Sequence, residues 1–430
     1  MNADTHGLVD HLFRERSGQM VAWLTRIFGP AHIDVVEEVV QDALVKALQQ
    51  WPFTGVPHNP AGWLVQVARN RALDVLRRDT SFRARADEIA RELTRSSITP
   101  RSDESQIDGR LPDDELQMIF LCCHPSLSRD AQVALSLRTV GGFGVQEIAR
   151  AMLTPDATVA QRLVRAKRQL RAMNARLDLP SDDELTGRLD VVLEVIYLLF
   201  NEGYAAREGD SLIRADVCRE ALRLSRIVAG SAVATPSAHA LAALLAFQHA
   251  RLPARVDAAG DVVLLEEQDR STWDERSIAL GFAHLEHSAA GEVISVYHLQ
   301  AGIAAAHAGA ARTEDTRWDV ILRLYDDLLT INPSPLVALN RLVAVWKVRG
   351  LAEAERELRA LEETPPLRAY YLLPALKGRL LAARGEHDAA RRAYDAALAL
   401  PCSQPEKRLL QRLRDRAGGP FIDTPVQLPP

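Results

Sequence analysis

Apolar residues recur at helical spacing along most of the chain. The clearest pattern lies within residues 141–172, where the apolar positions fall at i, i+4, i+7 and i+11, namely Val159, Leu163, Ala166 and Leu170. A shorter apolar stripe over 145–152 precedes it and stops at Leu-Thr-Pro. Pro155 then suits the first turn of the next helix, where its missing N–H costs little. This segment is therefore predicted to be a helix-turn-helix.

Three amphipathic helices are predicted upstream of this segment, over 8–28, 31–50 and 61–78. The last two are separated by a predicted loop, residues 51–60, which holds three prolines and one glycine. Residues 79–110 lose the apolar periodicity and are rich in turn-forming residues, which indicates a linker.

Downstream of residue 180 the pattern is again helical. Tyr325 and Tyr394 are 69 residues apart, about twice a 34-residue period, and Gly350 and Gly385 are 35 apart. Each of these glycines precedes an Ala-rich charged helix, and Gly378 adds the small residue expected in a first helix. The spacing is typical of tetratricopeptide repeats, which are packed helix pairs, and a generic helical bundle is the alternative.

The expected fold is therefore all-α: two small helical domains, a helical extension and a set of repeats. One short extended stretch is expected within 257–274. The expected boundaries are 1–79 for the first domain, 80–110 for the linker, 111–179 for the helix-turn-helix domain, 180–316 for the extension, 317–416 for the repeats and 417–430 for the tail.

Charge is sorted by helix rather than spread evenly. The net charge of the 430 residues is −5, and residues 1–180 hold 23 Lys and Arg against 22 Asp and Glu. Within that nearly neutral part, helix 31–50 has a net charge of −3, whereas 61–78 and 156–172 have +3 and +4. Such sorting suggests several partner surfaces of different charge.

The helix after Pro155 has a polar face beside its apolar stripe. That face holds, at i, i+3, i+4 and i+7, Thr158, Gln161, Arg162 and Arg165, and the charge is extended by Lys167, Arg168 and Arg171. Arg and Gln side chains read base edges in the major groove, so this helix is a candidate DNA-recognition helix. A solvated basic helix in a bundle is the alternative interpretation.

Other functional classes find little support in the composition. No apolar run reaches transmembrane length and the N-terminus lacks the apolar core of a signal peptide, so we expect a cytoplasmic protein without membrane contact. The four cysteines show no disulfide or zinc spacing, and adjacent Cys122 and Cys123 are expected to be buried. The acidic group within 257–269 is interpreted as a charged turn rather than a cation site. No catalytic residue, metal or cofactor is predicted.

Three segments within residues 1–180 resemble, in order and spacing, the sigma-70 family of bacterial transcription initiation factors. They are EEVVQDALVKALQQW, similar to region 2.2, AGWLVQVARNRALDVLRR, similar to regions 2.3–2.4, and EIARAMLTPDATVAQRLVRAKRQL, similar to region 4.2. The chain looks like a member of the short two-domain group called extracytoplasmic-function sigma factors. Segments after residue 180, such as RLDVVLEVIYLLFNEGY, are similar to the subgroup with a long tetratricopeptide-like C-terminal extension.

The resemblance implies three binding surfaces. The residues expected to dock on the β′ clamp helices of core RNA polymerase are Asp34, Glu37, Glu38, Gln41 and Asp42. The residues expected at the −10 element are Trp63, Arg69, Asn70, Arg71, Asp74, Arg77 and Arg78. The residues expected at the −35 element are Thr158, Gln161, Arg162, Arg165, Lys167 and Arg168. Such factors open the −10 DNA and capture a flipped base in a pocket that the preceding loop, 53–59, helps to form. For Trp63, burial in the core is the alternative to stacking. The β flap of the polymerase is a further expected contact.

The resemblance also implies a regulatory role for the extension, in place of a separate anti-sigma protein. A small DGPF/YCII-like protein is a candidate partner, because gene neighbourhoods of the relatives often encode one. Two other functions stay open: a helix-turn-helix transcriptional regulator with a tetratricopeptide-like sensor domain, and a hydrolase or metal enzyme in residues 181–315. The acidic helix 31–50 and the basic helix 61–78 favour the sigma factor, because a repressor needs neither.

Overall fold

The computed structural model describes five stretches of the chain, 17–78, 111–152, 154–173, 177–204 and 214–417. Within them the chain forms α-helices and short 3-10 turns, and its β pairing is limited to one antiparallel bridge between Val256 and Val262. The all-α prediction is confirmed. The predicted linker and nearly all of the predicted tail lie outside the described residues.

The chain divides into two compact units, the first ending at Val195 and the second beginning at Ile196. The helices of the first unit are α1 (17–28), α2 (Ile33–Thr54), α3 (Pro60–Arg78), α4 (Leu111–Cys122), α5 (Arg129–Thr139), α6 (Val145–Ala151) and α7 (Asp156–Ala172). Helix α8 (Asp182–Tyr204) contributes residues to both units. The second unit continues with α9 (Ala215–Ala229), α10 (Pro236–Ala250), α11 (Glu275–Ser288), α12 (Val296–Ala308), α13 (Trp318–Ile331), α14 (Pro335–Arg349), α15 (Leu351–Glu362), α16 (Pro365–Arg368), α17 (Leu372–Ala383), α18 (His387–Leu398) and α19 (Gln404–Arg416).

Helix α2 is longer than its prolines predict. A loop is predicted from residue 51, but α2 continues through Pro52 to Thr54. Pro52 removes only one backbone hydrogen bond near the helix end, and the buried Trp51 packs edge-to-face on Trp63 of α3, with ring centroids 5.4 Å apart. This burial stabilises the last turn. The helix stops at Gly55, whose φ of 81° is a conformation that glycine adopts without strain.

The predicted apolar stripe of the helix-turn-helix is confirmed. The buried residues of α7 are Val159, Leu163, Ala166 and Leu170. Pro155, predicted in the first helical turn, instead stands one residue before α7 with an extended ψ of 142°. Its fixed φ is compatible with either position, so the sequence does not distinguish them. Helices α5, α6 and α7 pack on one another, and the adjacent Cys122 and Cys123 are buried as predicted.

Helix α10 lies at the centre of the first part of the second unit. It is rich in Ala and Leu on all sides and is packed by α9, α11 and α12. A helix without a polar face is stable only when it is surrounded in this way. Gly281 of α11 permits close approach, since a Cβ there would lie 2.6 Å from the ring of Phe247. The apolar end of α8 is also buried in this unit at Phe200 and Tyr204.

Consecutive helix pairs follow in the C-terminal part, where α13 packs on α14, α14 on α15 and α17 on α18. Gly350 and Gly385 stand between helices with φ values of 88° and 85°. Gly378 of α17 faces Tyr394 of α18, and a Cβ there would lie 2.9 Å from the ring. The small residue is therefore required by close helix packing. Assignment of these pairs to the tetratricopeptide family stays a prediction.

The acidic group within 257–269 is a charged turn, as interpreted from the sequence. Asp257 Oδ1 accepts hydrogen bonds from the backbone N–H groups of residues 259 and 261. Arginines of α17 and α19 pair with two of the other carboxylates: Arg379 lies 3.0 Å from the buried Glu266, and Arg416 lies 2.8 Å from Glu267. Burial raises the pKa of Glu266 to about 8, although Arg379 opposes this. The turn thus ties residues 257–267 to the C-terminal helices.

Candidate nucleic-acid interface

Helix α2 carries its carboxylates on the side opposite its buried valines. Because residues three and four apart share one helix face, the five predicted docking residues form one surface. Asp34, Glu38 and Gln41 are exposed, and Asp42 is half-buried. Glu37 is the exception, since its side chain is only 9% exposed.

The outward face of α7 is polar and largely free to meet another molecule. Its exposed members are Thr158, Gln161, Arg165 and Arg168. Arg162 is half-buried, and its NH2 atom lies 2.7 Å from Oδ2 of the exposed Asp130. An ion pair with such an exposed partner is a weak constraint, so Arg162 still belongs to the face predicted to enter a groove.

Lys167 points away from that face, toward α2. Its Nζ atom lies 2.8 Å from Asp34 Oδ1 and 3.0 Å from Glu37 Oε2, and its side chain is 11% exposed. One turn further on, Arg171 donates from NH2 to Asp34 over 3.1 Å and from Nε to the Ala31 carbonyl over 2.9 Å. A side chain predicted to contact DNA phosphates is thus bound to two carboxylates predicted to dock on the polymerase.

A third cation comes from α5. Arg138 donates from Nε to Glu37 Oε2 over 3.1 Å. We call the five residues Asp34, Glu37, Arg138, Lys167 and Arg171 the ionic latch. Burial raises the pKa of Asp34, but the hydrogen bonds and charges of Lys167 and Arg171 outweigh it, so this pKa lies below its usual range.

Two further contacts join the same two groups of helices. Arg26 of α1 forms an ion pair with Asp114 of α4 over 3.0 Å, and the Asp114 side chain is nearly buried. Gly18 of α1 lies against the end of α5, where a Cβ would stand 2.0 Å from the carbonyl oxygen of Val140. Helices α1–α2 and α4–α7 therefore meet through a close backbone contact as well as through charges.

Helix α3 holds the residues predicted to meet the −10 element. Asn70 is exposed and accepts a hydrogen bond from Gln66 over 3.0 Å, and Asp74 and Arg69 are half-buried. Arg71 lies 2.6 Å from Asp42 of α2, which joins a predicted DNA contact to a predicted polymerase contact. Arg77 and Arg78 belong to α3. Trp63 is half-buried against Trp51 and is neither fully core nor fully free.

Phe53, in the last turn of α2, is a candidate that the sequence did not single out within the predicted loop 53–59. Its side chain is 89% exposed, which is unusual for an aromatic ring. Pro52 and Thr54 flank it, and the sequence signal for this residue is its place in the segment predicted to help form the base pocket. Asn59 positions the other end of this loop, because its Oδ1 accepts a hydrogen bond from Gly62 N over 2.8 Å.

Comparison with known proteins assigns these two groups of helices. The model of sigma-70 region 2 matches residues 12–82, and the model of sigma-70 region 4 matches residues 117–170. The chain belongs to the sigma-70 family. It is therefore an RNA polymerase sigma factor, and this family implies core RNA polymerase and promoter DNA as partners. The ionic latch joins region 2 to region 4 of this sigma factor.

A relative matches nearly the whole sigma factor. An uncharacterized protein of Rhizobium meliloti (strain 1021) is 38% identical over 412 residues, which cover 95% of this chain and 96% of the relative. Residues 188–289 also match a family of unknown function, DUF6596. No solved structure matches the sigma factor.

Two further findings concern the described part of the sigma factor. None of its described helices is both long and apolar enough to cross a membrane. Among the same residues, no group of three or more His, Cys, Asp or Glu is placed to hold a metal ion.

Proposed function

We propose that this sigma factor belongs to the extracytoplasmic-function group and reads two promoter elements, −10 with α3 and −35 with α7. The observation that carries the proposal is that three sides of α7 have three different environments. Its apolar stripe is buried, its base-reading face is exposed, and its third side binds α2. A recognition helix needs the first two features in order to enter a major groove while staying anchored.

At the −35 element, Thr158, Gln161, Arg162 and Arg165 face the bases. An arginine bidentate to guanine contributes about 1–3 kcal/mol of discrimination. Arg168 is exposed and able to contact phosphates in the latched arrangement. Lys167 becomes available to phosphates only when its bonds to Asp34 and Glu37 break.

At the −10 element, α3 and its preceding loop receive the opened strand. Asn70 and Asp74 contact bases. The DNA phosphates are contacted by Arg69, Arg71, Arg77 and Arg78. Extruding a base costs a few kcal/mol, and stacking on an aromatic ring returns about 1–3 kcal/mol. Phe53 supports this step because its ring is already exposed to solvent, and Trp63 borders the same loop.

Core binding opens the ionic latch. The β′ clamp is proposed to bind Asp34, Glu37, Glu38, Gln41 and Asp42, but the first two are engaged by region 4. The −10 and −35 elements are separated by about 25 base pairs, roughly 85 Å of B-DNA. Regions held within hydrogen-bond distance cannot reach both elements, so the latched arrangement is a resting form.

The C-terminal part is proposed to regulate this sigma factor. Residues 180–316 and 317–416 supply a packed helical array with surfaces for a partner, and a small DGPF/YCII-like protein is the proposed protein partner. The β flap of the polymerase is proposed as the region 4 contact on the core, and the cytoplasm as the location of this activity.

Runoff transcription with core polymerase and the full chain tests the proposal. We expect transcripts from specific promoters that core polymerase alone does not give. Glu38→Lys, at an exposed docking residue outside the latch, should weaken core binding, whereas Asp190→Lys, at an exposed carboxylate of α8, should not. A protein that shifts promoter DNA but never supports initiation would instead be a helix-turn-helix regulator.

A further inference from the structure

A cavity of about 250 Å³ lies within the second unit, between the helices of the extension and the C-terminal helix pairs. Its wall is formed by the end of α8, by α10 and α12, and by α13, α14, α17 and α19. Leu336 lines it and is 45% exposed, so the cavity reaches solvent beside that residue. The volume is slightly below the range typical of drug-sized ligands, which suits a small molecule with a single ring.

The cavity wall is mainly apolar and aromatic. Its rings come from α8, α13 and the turn just before α17, namely Tyr197, Phe200, Tyr204, Tyr325 and Tyr371. Leucines of α10, α17 and α19 fill the spaces between them. Aromatic side chains offer flat faces and edges to another ring, so an occupant with a flat apolar body fits this wall.

Three amide oxygens in the wall lack hydrogen-bond donors. Gln268 is 7% exposed, and its Nε2 donates to the Val263 carbonyl over 3.2 Å, which fixes the orientation of the amide. Its Oε1 is buried without a hydrogen-bond partner, as are Oδ1 of Asn201 and Oε1 of Gln300. A buried acceptor without a donor destabilises a protein, so retaining three of them in one cavity points to a ligand that donates hydrogen bonds.

Two buried guanidinium groups give the cavity an anion-binding character. Arg255 stacks on Tyr204, with its Cζ atom 3.5 Å from the ring centroid, and also donates to the Tyr204 carbonyl. Arg251 is buried beside it. Burial lowers the pKa of Arg251, and the positive charge of Arg255 lowers it further. An anion placed between these guanidinium groups would stabilise both.

Two further charged groups line the wall, and each has partners of its own. Arg379 pairs with Glu266, which lies outside the lining. Glu406 is the carboxylate of the described lining, and it accepts hydrogen bonds from the Tyr371 hydroxyl and, over 2.7 Å, from Ser403 N. The described lining therefore holds three arginines against one carboxylate, which gives it a net positive charge.

We propose that this cavity binds a small organic acid. The carboxylate binds at Arg251 and Arg255, the flat apolar body lies along the tyrosines, and a hydroxyl or amide N–H donates to Gln268. This site goes beyond promoter recognition and core binding, and its test does not depend on either.

Isothermal titration calorimetry on the full chain tests the site with three probes. The probes are 4-hydroxyphenylacetate, its uncharged amide 4-hydroxyphenylacetamide, and phenylacetate, which lacks the hydroxyl. We expect saturable one-to-one binding of the first. Loss of the charge should raise Kd roughly 10- to 100-fold, and loss of the hydroxyl roughly 3- to 10-fold. Absence of saturable binding by all three at millimolar concentration, or equal Kd values for acid and amide, overturns the proposal.

Variants place the binding in the cavity. Ala304→Leu reduces the cavity volume and should abolish binding, whereas Ala305→Leu, on the same helix but outside the lining, should not. Arg251→Gln should raise Kd at least tenfold, and Arg323→Gln, at a mostly exposed arginine, should leave Kd unchanged. Thermal unfolding shows whether each variant is folded, and Ala304→Leu keeps the test valid if Arg251→Gln does not fold. Binding that survives Ala304→Leu refutes the cavity as its site.

Discussion

Replacing Lys167 with methionine should shift the first unit toward an open form that binds core polymerase more tightly. The change removes the cation that bridges two carboxylates of α2 while keeping a side chain of similar length. Among the residues that the structure describes, Glu37, whose side chain is 9% exposed, then keeps only the Arg138 bond, and Asp34 keeps only Arg171.

The exposure of the two pairs sets the size of the effect. Removing one partner of a buried ion pair costs about 3–5 kcal/mol, whereas an exposed pair contributes at most about 1 kcal/mol. The bond of Lys167 to Glu37 is nearly buried, but Asp34 is 55% exposed and Arg138 still neutralises Glu37. We therefore expect about 2 kcal/mol, or roughly a 30-fold shift in the equilibrium between latched and open forms. If the latched form dominates, the apparent Kd for core falls by up to the same factor.

Fluorescence anisotropy of the labelled full chain, titrated with core polymerase in the absence of DNA, measures this Kd. Omitting DNA separates the latch from any phosphate contact of Lys167. Arg168→Met is the matched control, because it removes the same charge one residue further along, on the exposed side of α7. If Lys167→Met binds core no more tightly than Arg168→Met while both unfold at the wild-type temperature, the latch does not limit core binding.

Three other perturbations have defined outcomes. Gly18→Ala should force α1 away from the Val140 carbonyl and also tighten core binding, whereas Gly187→Ala, where a Cβ meets nothing within 4 Å, should have no effect in the same anisotropy titration. Phe53→Ala should slow opening of the −10 DNA, followed by permanganate reactivity, by roughly 5- to 100-fold without changing binding to −35 duplex; equal loss of both would contradict a stacking role. His307 is buried, and burial first, then Arg251 and Arg270, lower its pKa from 6.5 to about 3. At low pH His307 therefore binds a proton in the unfolded chain but not in the folded chain. The free energy of unfolding decreases as the pH drops below 6.5, by about 2 kcal/mol between pH 7 and pH 5. His307→Phe should flatten this part of the urea-unfolding profile, and an unchanged slope would show that His307 is not its source.

Local patterns predicted the helices well where one rule acted alone. The stripe of α7 repeats at helical spacing over 17 residues, and its four apolar positions are the buried ones. Gly378 was predicted from a repeat spacing, and its contact with Tyr394 gives the physical reason. At Pro52 two rules competed, because proline disfavours a helix interior while the buried Trp51 favours another turn. The sequence does not state which contribution is larger.

The ionic latch could not be predicted in the same way. Its partners are more than 100 residues apart in the sequence, and no short-range periodicity connects them. The sequence shows the opposite net charges of α2 and α7, but a separate predicted partner explains each of them: the polymerase for α2 and DNA for α7. The sequence therefore gave no reason to bring Lys167 to Asp34 and Glu37, and only tertiary packing did so.

The latched arrangement restricts the two partners unequally. Thr158, Gln161 and Arg165 stay exposed on α7 while the latch is closed, so contact with a −35 duplex does not require it to open. The proposed docking of Glu37 on the polymerase does require opening, since its carboxylate is bonded to Arg138 and Lys167. In the proposed resting form, this sigma factor withholds its proposed polymerase-binding surface more than its proposed base-reading surface. Control of transcription would then act mainly on the association with core, before both promoter elements are read together.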